Sequence, residues 1–91
     1  MKTIEQSDKY SGLLSDENKT VFFEGTFRMS GMSDYANISD ALTQLIESED
    51  SLTLDLTKLE FLNSSGISFL AKFAISVRKK GDFNLKVIGS N

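Results

Sequence analysis

The 91-residue chain contains no cysteine and no histidine. Without cysteine there are no disulfides and no thiolate metal sites. Without histidine the common zinc and iron ligand sets cannot be assembled. The same absences remove Ser-His and Cys-His nucleophile pairs and leave only a Ser-Lys pair for covalent catalysis. Lys58 and Lys72 are the candidates for that pair, and both read as solvated surface charges. The carboxylates Glu47 and Asp50 read as a solvated acidic turn rather than an acid-base pair. Gly25, Gly31 and Gly66 fall in no nucleotide-binding spacing. No enzyme, cofactor or metal is expected.

Long apolar runs are also lacking. Residues 1–11 hold nothing like the apolar core of about 7–15 residues in a signal peptide. No stretch approaches the ~18 apolar residues of a membrane span. A cytoplasmic protein without membrane partners is expected. A basic face is missing as well, since the net charge is −3 and the pI about 4.8. Arg78, Lys79 and Lys80 form the only positive cluster, which fits the end of a helix better than a nucleic-acid surface. No nucleic-acid partner is expected.

What is present is enough for one core. Hydrophobic residues make up 40% and include seven Phe. A chain this short buries only about 60–65% of the surface its unfolded form exposes, so its stability margin is thin. Residues 1–91 read as a single domain, with residues 1–9 expected to be poorly ordered.

The pattern predicts two short strands over residues 10–14 and 20–27, joined by the polar turn Ser15-Asp16-Glu17-Asn18. Val21, Phe23 and Phe27 share one face of the second. Tyr35, Ile38, Leu42, Leu45 and Ile46 recur at three- and four-residue steps and predict a helix. Its start is open: Ser33 offers a cap, but Asn37-Ile38-Ser39-Asp40 is a poor helix interior and marks a candidate break. Leu52, Leu54 and Leu56 alternate as a central strand. Residues 57–62 read as a connecting segment that keeps Leu59, Phe61 and Leu62 on the core. A second helix is predicted over residues 64–80, with Ile67, Leu70, Ala71, Ala74 and Val77 as its core stripe, widened by Phe69 and Phe73. Gly81 ends it, and residues 83–88 form a last strand. The order β-β-α-β-α-β implies an α/β (α+β) sandwich: about four strands in a mixed sheet, with two helices mainly on one face.

The segment Leu62-Asn63-Ser64-Ser65-Gly66-Ile67 lies at the junction of strand and second helix. Asn63 is a strong N-cap whose side-chain oxygen can accept from Ser65 or Gly66. Leu62 and Ile67 are placed for a hydrophobic staple. Ser64 and Ser65 then occupy the first turn, where backbone N–H groups and the helix dipole favour an anion such as a phosphate. Gly66 leaves little bulk beside the hydroxyls, so a partner could approach closely. Met29 and Met32 flank a loop nearby and are candidates for the same partner surface.

Leu54-Asp55-Leu56 followed by Leu59-Glu60-Phe61-Leu62-Asn63-Ser64-Ser65-Gly66-Ile67 resembles the signature of STAS domains and anti-sigma-factor antagonists. In that bacterial family a hydrophobic strand enters an Asp-Ser-Ser-Gly-like turn and then a helix. The resemblance covers residues 20–90. It implies a partner-switching module of transcription regulation. A GHKL-type serine kinase, often an anti-sigma factor itself, phosphorylates the second serine, here Ser65, with Ser64 the second choice. A PPM-type phosphatase reverses the modification. The unmodified form binds the kinase and the phosphoprotein releases it, with Asn63, Ser64 and Gly66 shaping the contact. Asn63 stands where the family usually has Asp, which keeps the cap and removes a charge. The family also continues past its last matching strand with another helix, a strand and a closing helix, so those elements are expected to be missing: the chain is either a truncated form or one whose exposed core is covered by a partner or by a second copy in a homodimer. The alternative reading is a STAS scaffold or small-ligand-binding module that is never phosphorylated and acts through oligomerisation.

Overall fold

The computed structural model describes residues 2–29 and 32–89. The chain opens with an antiparallel meander of β1 (Lys2–Gln6), β2 (Tyr10–Ser15) and β3 (Thr20–Phe27). Residues 2–6 are therefore a strand, not the poorly ordered lead expected from their polarity. The cause is backbone pairing with β2 rather than side-chain pattern: Lys2 faces Leu14 and Gln6 faces Ser11. The one apolar residue, Ile4, sits at a register irregularity and packs against the core. A two-residue repeat in β2 and β3 brings Gly12 opposite Phe23 and Leu14 opposite Val21 on the inner face.

After a 3-10 turn (Met32–Tyr35), α1 runs from Ala36 to Ser48 without the break expected at residues 37–40. Burial of Ile38, Leu42 and Ile46 outweighs the weak propensity of that stretch. Tyr35 occupies the N-cap and makes no side-chain cap bond. The side chain of Ser33, the expected cap, lies outside the described residues.

The chain then forms β4 (Ser51–Asp55), β5 (Leu59–Leu62), α2 (Ser64–Lys80) and β6 (Asn84–Ile88). The sheet has six strands rather than about four, in the order β1-β2-β3-β4-β6, with β5 also on β3. The segment expected to be a mere connection is thus a strand. β4 pairs with the first half of β3 (Val21 to Leu54) and β5 with its second half (Phe27 to Leu62), both parallel. Between them Thr57-Lys58 bulges outward, braced by Asp55, whose Oδ1 accepts from the Thr57 N–H at 2.9 Å and hydroxyl at 2.6 Å. Opposite this bulge Gly25 has φ +92°, and a Cβ there would strike the Lys9 carbonyl. Phe61 does not reach the core: it is 44% exposed, with the Arg28 guanidinium 4.5 Å above its ring.

Both helices cover the inner face. Val21, Phe23, Phe27, Leu52, Leu54 and Leu56 from the sheet join Ile38, Leu42 and Ile46 of α1 and Phe69, Phe73 and Val77 of α2 in one core. The boundaries of α2 are those read from the sequence, but its inner face differs. Gly66, Phe69, Phe73 and Val77 are buried, whereas Ile67 is 59% exposed and Ala71 and Ala74 face solvent. The larger rings claim the buried side because they remove more apolar surface from water. The basic cluster also differs in one member. Lys80 reaches across to the Ile46 and Glu49 carbonyls and so caps α1, which has no basic residue in its own last turn.

Candidate functional site

The junction of β5 and α2 is built around Asn63. Its backbone N–H donates to the Phe27 carbonyl at 3.1 Å, which extends the β3–β5 ladder by one rung. Its φ of −80° and ψ of −179° are extended, and the next residue turns into the helix. Its side-chain Oδ1 accepts from the Gly66 N–H at 3.1 Å, and its carbonyl accepts from the Ile67 N–H at 3.0 Å. This is the expected cap. The side-chain Nδ2 then donates to the Met29 carbonyl at 3.0 Å, a bond the sequence did not announce. One amide therefore ties the end of β3, the loop after it and the start of α2. The two partners also fix the amide's orientation, because only the oxygen can accept and only the nitrogen can donate.

Ser64 is exposed and Ser65 half-buried in the first turn. No acidic side chain stands in that turn, and Arg78, Lys79 and Lys80 lie at the opposite end of α2. Leu62 and Ile67 line one shallow groove with Leu56, Leu59, Phe61 and Gly89, so both staple residues border the same apolar surface.

Gly66 has a different role from the one expected. It is buried and faces inward: a Cβ there would lie 2.7 Å from the Tyr35 hydroxyl and closer still to Leu62 Cδ1. Its missing side chain lets α2 settle onto Tyr35 and β5; it does not open the serines to a partner. The Tyr35 ring is stacked between Phe69, at 4.8 Å, and Phe27, at 6.5 Å. Its hydroxyl is buried without a hydrogen-bond partner among the described residues. Burial pushes its pKa up, and Tyr10 and Asp34 add to the shift. Met29 is also buried, so it does not line an exposed partner surface; the side chain of Met32 lies outside the described residues.

Among the described residues no cluster of three or more His, Cys, Asp and Glu could hold a metal ion. None of the described helices is long and apolar enough to cross a membrane. Lys58 lines an open polar depression with Glu24 and Glu60, and Lys72 is exposed on α2.

The STAS domain family model matches residues 16–85, which run from β3 to the start of β6 and contain the whole junction. The chain belongs to the STAS domain family. Its fold is similar to that of an antisigma-factor antagonist STAS domain from Rhodobacter sphaeroides, with a TM-score of 0.51. The two are 18% identical over 88% of this chain and 84% of that one, a likeness of fold. No curated protein matches the chain in sequence. In this STAS domain the matched residues include β5, the Asn63 cap and the first turn of α2. The match begins at Asp16, so β1 and β2 lie before it.

Proposed function

We propose that this STAS domain is a phosphorylation-controlled protein-binding switch, with Ser65 the modified residue. The observation that carries the reading is the placement of Ser65 in the first turn of α2, half-buried, behind a cap that Asn63 completes from both sides. A phosphate there meets the positive end of the helix dipole and adds a charge of about −1.5 to −2. The unmodified protein binds a GHKL-type serine kinase of the anti-sigma type; the phosphoprotein releases it, and a PPM-type phosphatase resets the cycle. The module acts by binding and not by catalysis, in a bacterial cytoplasm, on a transcription pathway. Forcing a dianion into the contact adds desolvation and repulsion. A penalty of about 3 kcal/mol is enough to weaken binding more than a hundredfold.

The test is phosphosite mapping by intact and tandem mass spectrometry after incubation with a demonstrably active cognate kinase. Wild type is expected to gain one phosphate on Ser65, the Ser64→Ala protein to gain it as well, and Ser65→Ala to gain none. An unmodified wild type under those conditions would favour a scaffold that works without phosphorylation.

A further inference from the structure

Strand β1 lies at one edge of the sheet, paired with β2 on its inner side and with no described element on its outer side. A row of its backbone N–H and C=O groups is therefore open to another strand. The register irregularity between Thr3 and Glu5 decides what that strand can be. In a regular strand, residues three apart point to opposite faces. Here Lys2 stands opposite Leu14 and Glu5 opposite Gly12, and both of those lie on the helix-bearing face. The extra residue, Ile4, thus brings Lys2 and Glu5 to one face, while Thr3, opposite Leu13, points to the other. Neither charge forms an ion pair among the described residues; Glu5 accepts only a 3.4 Å hydrogen bond from the Asn37 amide.

We propose that β1 pairs with β1 of a second copy of this chain, antiparallel about a two-fold axis at Thr3, and joins two sheets into one. With Thr3 opposite the partner's Thr3, Lys2 of each copy falls opposite the partner's Glu5. Every rung then matches faces, inward with inward and outward with outward. Opposite charges and Thr pairs at facing positions are favourable cross-strand combinations. The neighbouring registers that also match faces are worse: one sets Lys2 against the partner's Lys2, the other Glu5 against the partner's Glu5. The bulge and the charges that shield a short edge from arbitrary strands therefore leave this one pairing open. The partner's strand also closes the open side of the groove between β1 and α1, where Ile4, Leu14, Ala41 and Leu45 lie beside Lys2. A two-fold pairing is closed and stops at the dimer, whereas β1 laid on the β6 edge of another copy would run on into a filament. The contact is short, which makes the dimer a weak one. The Asn63 junction takes no part in it, because β2 lies between β1 and the β3 strand that carries β5.

The test is sedimentation equilibrium of the full, untagged chain from about 10 µM to about 1 mM, the range suited to a weak contact of this size. Expected is a reversible monomer–dimer equilibrium with no larger species. Two-fold symmetry places each substitution in both outer rungs. Glu5→Lys and Lys2→Glu are therefore each expected to weaken the dimer about tenfold or more. The double exchange Lys2→Glu/Glu5→Lys is expected to restore it, which a merely loosened fold would not do. Circular dichroism checks that each variant stays folded. Because the chain has no cysteine, Thr3→Cys gives a clean second reading: it is expected to form a disulfide with its own copy under mild oxidation, and Gln6→Cys is not. The Ser65→Ala protein is expected to dimerise as wild type does. The proposal is overturned by a chain that stays monomeric at about 1 mM. It is overturned equally by a dimer that the single charge variants leave unchanged, by failure of the double exchange to restore one, by Gln6→Cys linking as readily as Thr3→Cys, or by species larger than a dimer.

Discussion

A carboxylate at position 63 would cap α2 as well as Asn63 does, but it could not donate to the Met29 carbonyl. The gain from a full negative charge at the helix start is about 0.3–1 kcal/mol. The loss is larger, because a partly buried carbonyl is left facing a carboxylate oxygen, at about 1–3 kcal/mol. Asn63→Asp is therefore expected to destabilise the fold by roughly 1 kcal/mol, read as a lower urea midpoint at unchanged slope. A variant as stable as wild type would show that the Met29 bond contributes nothing. Tyr35 makes the opposite case. Its hydroxyl is buried and unpaired, so Tyr35→Phe is expected to stabilise the protein by about 1 kcal/mol. Burial raises the phenol pKa above its ordinary 10.0. The unfolded chain thus ionises first, and the stability present below pH 10 is lost as pH rises beyond it. Tyr35→Phe should blunt that alkaline loss in denaturation curves taken on either side of pH 10. An unchanged alkaline slope would place the sensitivity elsewhere.

The break between β4 and β5 depends on a local brace. The Thr57 hydroxyl, then the Thr57 N–H, then nearby Lys58 hold the Asp55 carboxyl below its ordinary 3.8. A lowered pKa stabilises the fold above that value, and the stabilisation disappears as pH falls through the folded-state value. Asp55→Asn is expected to be less stable than wild type at neutral pH, with the two urea midpoints converging below about pH 4. A constant gap down to strong acid would rule this brace out. How far the elements were legible follows from how local their causes are. The limits of α2 could be read because Asn63 and Gly81 act on adjacent residues. Its inner face could not, because the helix carries two apolar stripes and sequence spacing alone does not say which the sheet will meet. β5 looked like a linker because its hydrogen bonds go to β3, far back in the chain, and β1 has only Ile4 to mark it. At the site the cap was visible in the sequence. The Met29 bond and the inward-facing Gly66 were not, since each depends on a residue some thirty positions away.

At the scale of the whole molecule, the radius of gyration is 12.2 Å, close to the ~12 Å expected of a compact chain this long. The central position of β3 carries a further consequence, for the order in which the chain assembles. On one side β3 meets β2, its neighbour in sequence, through a short turn. On the other it meets β4 and β5, which lie beyond α1 in the chain. Closing the longer loop costs more entropy before any contact repays it. The meander of β1, β2 and β3 can form early, and the parallel half of the sheet, together with the Asn63 junction that depends on it, is completed last.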